Sequence, residues 1–146
     1  MLSQQKGHIV TMASMASFIA GGGMLSYCCS KVAALYLSDG IRSECLTRYP
    51  GGEAICTTSV HPSWHATNIA KASEFEKLRK MGHTVGVASD VSDAVVAHVL
   101  KGKSGKLFVP KIGAVLALNR SLPLWVQDII KGEWRGKKKR SLKLED

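Results

Sequence analysis

Apolar residues in this chain fall in short unbroken runs and in longer stretches of helical spacing, and the two kinds alternate. His8 to Ser14 gathers Ile9, Val10 and Met12 around the β-favouring Thr11. Ala54 to Val60 is again almost wholly apolar or β-branched, and Lys106 to Val109 is a third run closed by Pro110. Runs this short, without an in-and-out alternation, predict parallel strands covered on both faces. A helix is predicted from Ser26 to Thr47, with Ala34, Leu37, Ile41 and Cys45 as its core face and Pro50-Gly51-Gly52 as its stop. Asp90 is the expected N-cap of a helix to Leu100 whose inner face is Val91, Val95, His98 and Val99. Between these lies a loop from Ala66 to Gly82, expected to be mobile, with a short helix around Ser73 to Lys80. The second strand is expected to stop at His61-Pro62-Ser63-Trp64. Strand, helix, strand, helix, strand is a βαβ progression, so the fold class is α/β with a right-handed parallel crossover.

The pattern changes after Pro110. Ile112 to Leu118 is apolar apart from Gly113. Leu122, Trp125, Val126, Ile129 and Ile130 then recur at helical spacing, with Pro123 suited to a first turn. Two readings stay open: both segments cover the core of the body, or they form a membrane-contacting patch.

Charge bears on that choice. The net charge of +9 in 146 residues is uneven. Lys131, Arg135, Lys137, Lys138, Lys139, Arg140 and Lys143 face only Glu133, Glu145 and Asp146, so the last sixteen residues carry a net +4. The domain division follows: 1–130 as the folded part, 131–146 as a basic tail. Such a tail is a solvated run, a membrane-surface contact or a nucleic-acid arm; with only Trp134 interleaved, the nucleic-acid reading is the weakest. No apolar stretch reaches the roughly 18 residues of a membrane span. The interrupted run Ile9 to Ala20 reads as mature protein and not as a signal segment. Cys28, Cys29, Cys45 and Cys56 lack metal-ligand spacing and suit reduced thiols in the cytoplasm. His61 and His65 are separated by Pro62, which argues against a helical ligand pair and any metal there.

The candidate chemistry lies at the end of the first strand. Tyr27 and Lys31 are four apart and share a helix face. An ammonium near a phenol favours phenolate, which tunes the phenol for proton transfer near neutral pH. Ser14, thirteen residues before Tyr27, is placed to hold a substrate oxygen beside it.

With these residues the chain resembles the short-chain dehydrogenase/reductase family, in GHIVTMASMASFIAGGGMLSYCCSK (Gly7 to Lys31) and ICTTSVHPSWHAT (Ile55 to Thr67). The resemblance implies an NAD(P)-dependent oxidoreductase with Tyr27 as general acid/base and Ser14 orienting the substrate oxygen. Lys31 would bind the nicotinamide ribose and lower the tyrosine's pKa. Pro62, Ser63 and Thr67 would contact the nicotinamide and phosphates, with Ser63 standing where the family has glycine. The stretch from Lys106 to Pro110, the apolar segment after it and Leu122-Pro123 resemble the retinol and hydroxysteroid dehydrogenase branch. That implies a lipophilic alcohol or carbonyl as substrate, and a place at the endoplasmic reticulum or lipid-droplet surface.

Measured against that family, the chain is expected to be the C-terminal half of a Rossmann-like doubly wound sheet, strands five to seven with flanking helices. No G-x-x-x-G-x-G turn for a pyrophosphate occurs, and Gly21-Gly22-Gly23 lies too close to Tyr27 to serve. Two expectations follow. The first strand becomes an open edge, so the isolated chain is poorly stable or forms a homo-oligomer. The alternative function is a truncated, catalytically inactive fragment acting at most as a peripheral membrane or partner-binding protein.

Overall fold

The computed structural model describes residues 1–131. In chain order the elements are β1 (Gly7–Met12), α1 (Leu25–Thr47), β2 (Ile55–Pro62), β3 (His65–Ala66), α2 (Ala72–Lys80), β4 (Gly86–Val87), α3 (Ala88–Val99), β5 (Gly105–Val109), α4 (Gly113–Ala117) and α5 (Leu124–Ile130). The architecture is α/β and Rossmann-like, and β1, β2 and β5 form one parallel sheet in the order β1-β2-β5. Each predicted strand is present, with boundaries within two residues of those expected. The chain leaves β1 at Met12 and turns through Ala13 and Ser14 into a 3-10 turn, Met15–Ser17.

The second strand runs past its expected end. His61 is inside β2 and fully buried, because β2 is the central strand and the residue before a proline favours extended backbone. Successive side chains of β2 point to opposite faces. Ser59 and His61 share one face with Phe108 of β5, while Thr58 and Val60 share the other with His8 of β1. Thr57, Thr58 and Ser59 are as buried as Val60, so the middle of this sheet is polar. Its hydroxyls find partners: Thr58 shares a hydrogen bond of 2.8 Å with His8, and Ser59 one of 2.9 Å with His61.

Of the predicted inner face of α1, Cys45 is buried and Ala34 and Ile41 are half-buried, but Leu37 points away from the sheet. Cys28, Leu35, Ser38 and Cys45 are buried, and Leu37 is exposed together with Tyr36 and Leu46. The helix meets the sheet along a narrow stripe, so apolar residues on its other side find no cover among the described residues. A salt bridge of 2.8 Å from Lys106 to Asp39 joins β5 to α1. The inner face of α3 is the predicted one: Val91, Val95, His98 and Val99 are half-buried. Its start lies earlier, however. Asp90 is in the first turn, and its carboxylate accepts the Val87 N–H at 3.1 Å.

The stretch from Ala66 to Gly82 contains α2, anchored by buried Phe75, and begins at β3, which pairs in parallel with β4. Two-residue strands carry no period, so no pattern announces them. Segments α4 and α5 form as helices but do not cover the core: of residues 112–131, Gly113 and Asn119 alone are buried. The basic tail lies outside the described residues from 132 onward.

Candidate active site

Ser14, Lys31, Pro62 and Ser63 lie at the carboxyl ends of β1 and β2, the end at which open α/β sheets bind ligands, with Tyr27 beside Lys31 and Thr67 farther along, after β3. Ser14 caps the 3-10 turn that follows β1: its Oγ accepts the Ala16 N–H at 3.1 Å. A hydroxyl has one hydrogen to give, and this contact leaves it uncommitted. Ala13 N–H donates to Val60 carbonyl (2.9 Å), which holds the turn on β2.

The turn is also tied to α1. Ser17 is fully buried and its hydroxyl donates to the Lys31 carbonyl at 2.8 Å. Lys31 Nζ donates to the Met12 carbonyl at 3.2 Å and lies 5.6 Å from the centroid of the Tyr27 ring. The ammonium thus sits over the phenol, with two of its three N–H groups left for another acceptor. Tyr27 is half-buried.

His61 supports this turn from below, and no pattern in the chain marked it. A carbonyl only accepts, so His61 Nδ1 carries the hydrogen and donates to the Ser14 carbonyl at 3.3 Å. Nε2 then accepts from the Ser59 hydroxyl. The ring stacks on Phe108, with centroids 5.1 Å apart, and meets the edge of Phe18 at 4.9 Å. Burial in this aromatic sandwich holds the imidazole below its ordinary pKa of 6.5; Lys106 adds to the shift, and the Ser14 hydrogen bond and Asp39 oppose it. The signal that could have found His61 is Pro62 itself, which keeps its predecessor extended and therefore in the strand.

Pro62 and Ser63 follow directly. Ser63 N–H donates to the Val109 carbonyl at 2.8 Å, and its exposed side chain stands at the rim. Thr67 is exposed and its Oγ1 accepts the Ile69 N–H at 3.4 Å. Segment α4 closes on the same end, because Gly113 packs against Met15 and Phe108. Among the described residues no three His, Cys, Asp or Glu side chains converge as metal ligands.

The fold has counterparts among known proteins. The family model described as short chain dehydrogenase matches residues 1–78. The chain belongs to the short-chain dehydrogenase family. A relative among curated proteins, the probable oxidoreductase EphD of Mycobacterium tuberculosis, is 31% identical over 127 residues. That match takes in 80% of this chain and 22% of EphD. Dehydrogenase RED2 of Cochliobolus heterostrophus is 42% identical over 60 residues, 41% of this chain and 22% of that protein. The matched stretches therefore span about a fifth of the length of these relatives. A short-chain dehydrogenase of Burkholderia cenocepacia, solved in complex with NADP, superposes with a TM-score of 0.65 at 21% identity, over 89% of this chain and 49% of that one. A Streptomyces avermitilis short-chain dehydrogenase gives 0.62 at 16% identity, over 91% and 50%. At such identity the likeness speaks for the short-chain dehydrogenase fold alone.

Proposed function

We propose that this chain is the catalytic half of an NAD(P)-dependent short-chain oxidoreductase that interconverts a lipophilic alcohol and its carbonyl. In this reading β1, β2 and β5 correspond to strands five to seven of the family's sheet. The observation that carries it is the cluster at the carboxyl end of β1: a serine with a free hydroxyl hydrogen, and a lysine ammonium 5.6 Å above a tyrosine ring.

Ser14 would hold the substrate oxygen by donating its hydrogen. Tyr27 would give its phenolic proton to a carbonyl oxygen, or take one from an alcohol. Lys31, fixed by the Met12 carbonyl, keeps a positive charge over the ring and has N–H groups to spare for ribose hydroxyls. The rim suits the nicotinamide end of such a cofactor: besides that ammonium it presents the exposed hydroxyls of Ser63 and Thr67. When bound, the cofactor supplies or accepts the hydride. A lipophilic substrate is favoured by the apolar α4 segment, which closes on Met15 next to Ser14.

A second reading, a non-catalytic remnant, is favoured by the sequence around the site, which has no glycine-rich turn of the pyrophosphate-binding spacing. Fluorescence titration of the chain with NADPH and NADH separates the two. Saturable binding of either, followed by turnover of long-chain or polycyclic alcohols, is the expected result. Binding of neither would sink autonomous catalysis and leave the remnant.

A further inference from the structure

Residues 112–131 form three short helical pieces that the body holds at two points. Gly113 sits on Met15 and Phe108, and Asn119 is buried in the turn between α4 and α5. The rest of the segment faces outward. Ile112, Val115, Leu118, Leu124, Trp125 and Ile129 are each between 51% and 69% exposed. A few scattered apolar side chains on a surface need no explanation, but a run of this density marks a contact site.

The charge pattern says what covers it. Lys111, Arg120 and Lys131 punctuate the run, with Asp128 as its one acid, and six further basic residues follow by position 143 in the sequence. Apolar side chains with a tryptophan among them, backed by clustered lysine and arginine, match the boundary of an anionic bilayer. There acyl chains take the apolar groups, the headgroup level suits tryptophan, and phosphates attract the cations. A protein partner buried over the same run would have to desolvate those cations. Among the described residues no helix is long and apolar enough to cross a membrane, so the contact is one that lies on the surface.

We propose that residues 111–131 dock this chain on anionic phospholipid surfaces. The anchor at Gly113 gives the docked face a fixed relation to the rest of the molecule. Met15, which it touches, is the neighbour of Ser14, so the carboxyl end of the sheet is held beside the lipid.

Co-sedimentation of the full chain with vesicles tests this. Vesicles containing about 30% phosphatidylserine should bind it, and about 0.5 M salt should release most of it. The double variant Trp125→Ser, Ile129→Ser should bind at least about tenfold more weakly, as loss of buried apolar contact requires. Both side chains are exposed, so circular dichroism should show an unchanged fold; Leu124→Ser, at the most exposed of the six, is the milder second variant. Three results would overturn the proposal. One is no sedimentation with anionic vesicles. Another is equal, salt-insensitive binding to pure phosphatidylcholine. The third is binding untouched by either variant, or variants that instead convert a lipid-free dimer to monomer, which would make the face a contact between copies.

Discussion

His61 is held where its charged form has little room. Its folded pKa lies below 6.5 because the ring is buried between Phe18 and Phe108. Between the two values the unfolded chain binds a proton that the folded chain refuses. Stability is therefore complete above about 6.5 and falls as pH drops toward the lowered value. His8 is lowered as well, by burial first and by His98 second, and acts with the same sign. The melting temperature should be level between about pH 8 and 7 and decline below about 6.5, read by scanning fluorimetry. In His61→Leu the decline should be shallower, with His8 supplying what remains. The same change should cost about 1–3 kcal/mol at pH 8, since the Ser14 carbonyl and Ser59 hydroxyl lose their partner in the interior. A melting point that rises on acidification would contradict this. At the site itself, Tyr27→Phe should lower turnover by at least about a hundredfold while NADPH affinity holds, because only proton transfer is removed. Lys31→Met should lower both. If Tyr27→Phe also abolished nucleotide binding, the division of labour between the two residues would be wrong.

Elements depend on how closely they are allowed to meet. After α1 the chain turns back so tightly that a Cβ on Gly52 would overlap the Cys45 carbonyl, and that atom is main chain and cannot step aside. At Gly113 a Cβ would instead crowd the Met15 sulfur at 2.9 Å, the far end of a flexible side chain. Gly52→Ala should therefore destabilise by about 1–3 kcal/mol or more and Gly113→Ala by clearly less, in urea titrations of each. Equal losses would show that the return of the chain after α1 is loose enough to take a methyl group. The existence and type of the longer elements were legible in the residues, because hydrophobic runs and helical spacing report burial directly. The approach of Lys31 to the Tyr27 ring was legible too, since residues four apart share a helix face. The edge of the buried face of α1 was not. Leu37 and Leu35 look alike in composition, and only the narrow line of contact with the sheet buries one and exposes the other. The role of His61 was hidden for a related reason: Pro62 marks it as extended, but what it holds depends on Ser14 and Phe108, which are distant in sequence, and on a Ser59 hydroxyl that no pattern singles out.

At the scale of the molecule, β1 has β2 on one side and no strand on the other among the described residues. An edge of six residues with free N–H and C=O groups, together with exposed Tyr36, Leu37 and Leu46 on α1, favours association between chains. Size-exclusion chromatography with light scattering should show mass rising with concentration; a sharp monomer at all concentrations would count against it. The centre of the sheet works in the opposite direction. A strand of plain aliphatic residues could slide along its neighbours and lose little, because one methyl group packs much like another. In β2 the contacts are particular: Thr58 with His8, the Thr57 N–H with the Ser104 hydroxyl at 3.0 Å, and His61 with the Ser14 carbonyl. Displacement by one residue breaks each of them at once and leaves polar groups dry. The hydroxyl-rich interior thus acts as proofreading for strand alignment: it gives up some apolar burial, and in exchange few alternative pairings can compete with the correct one.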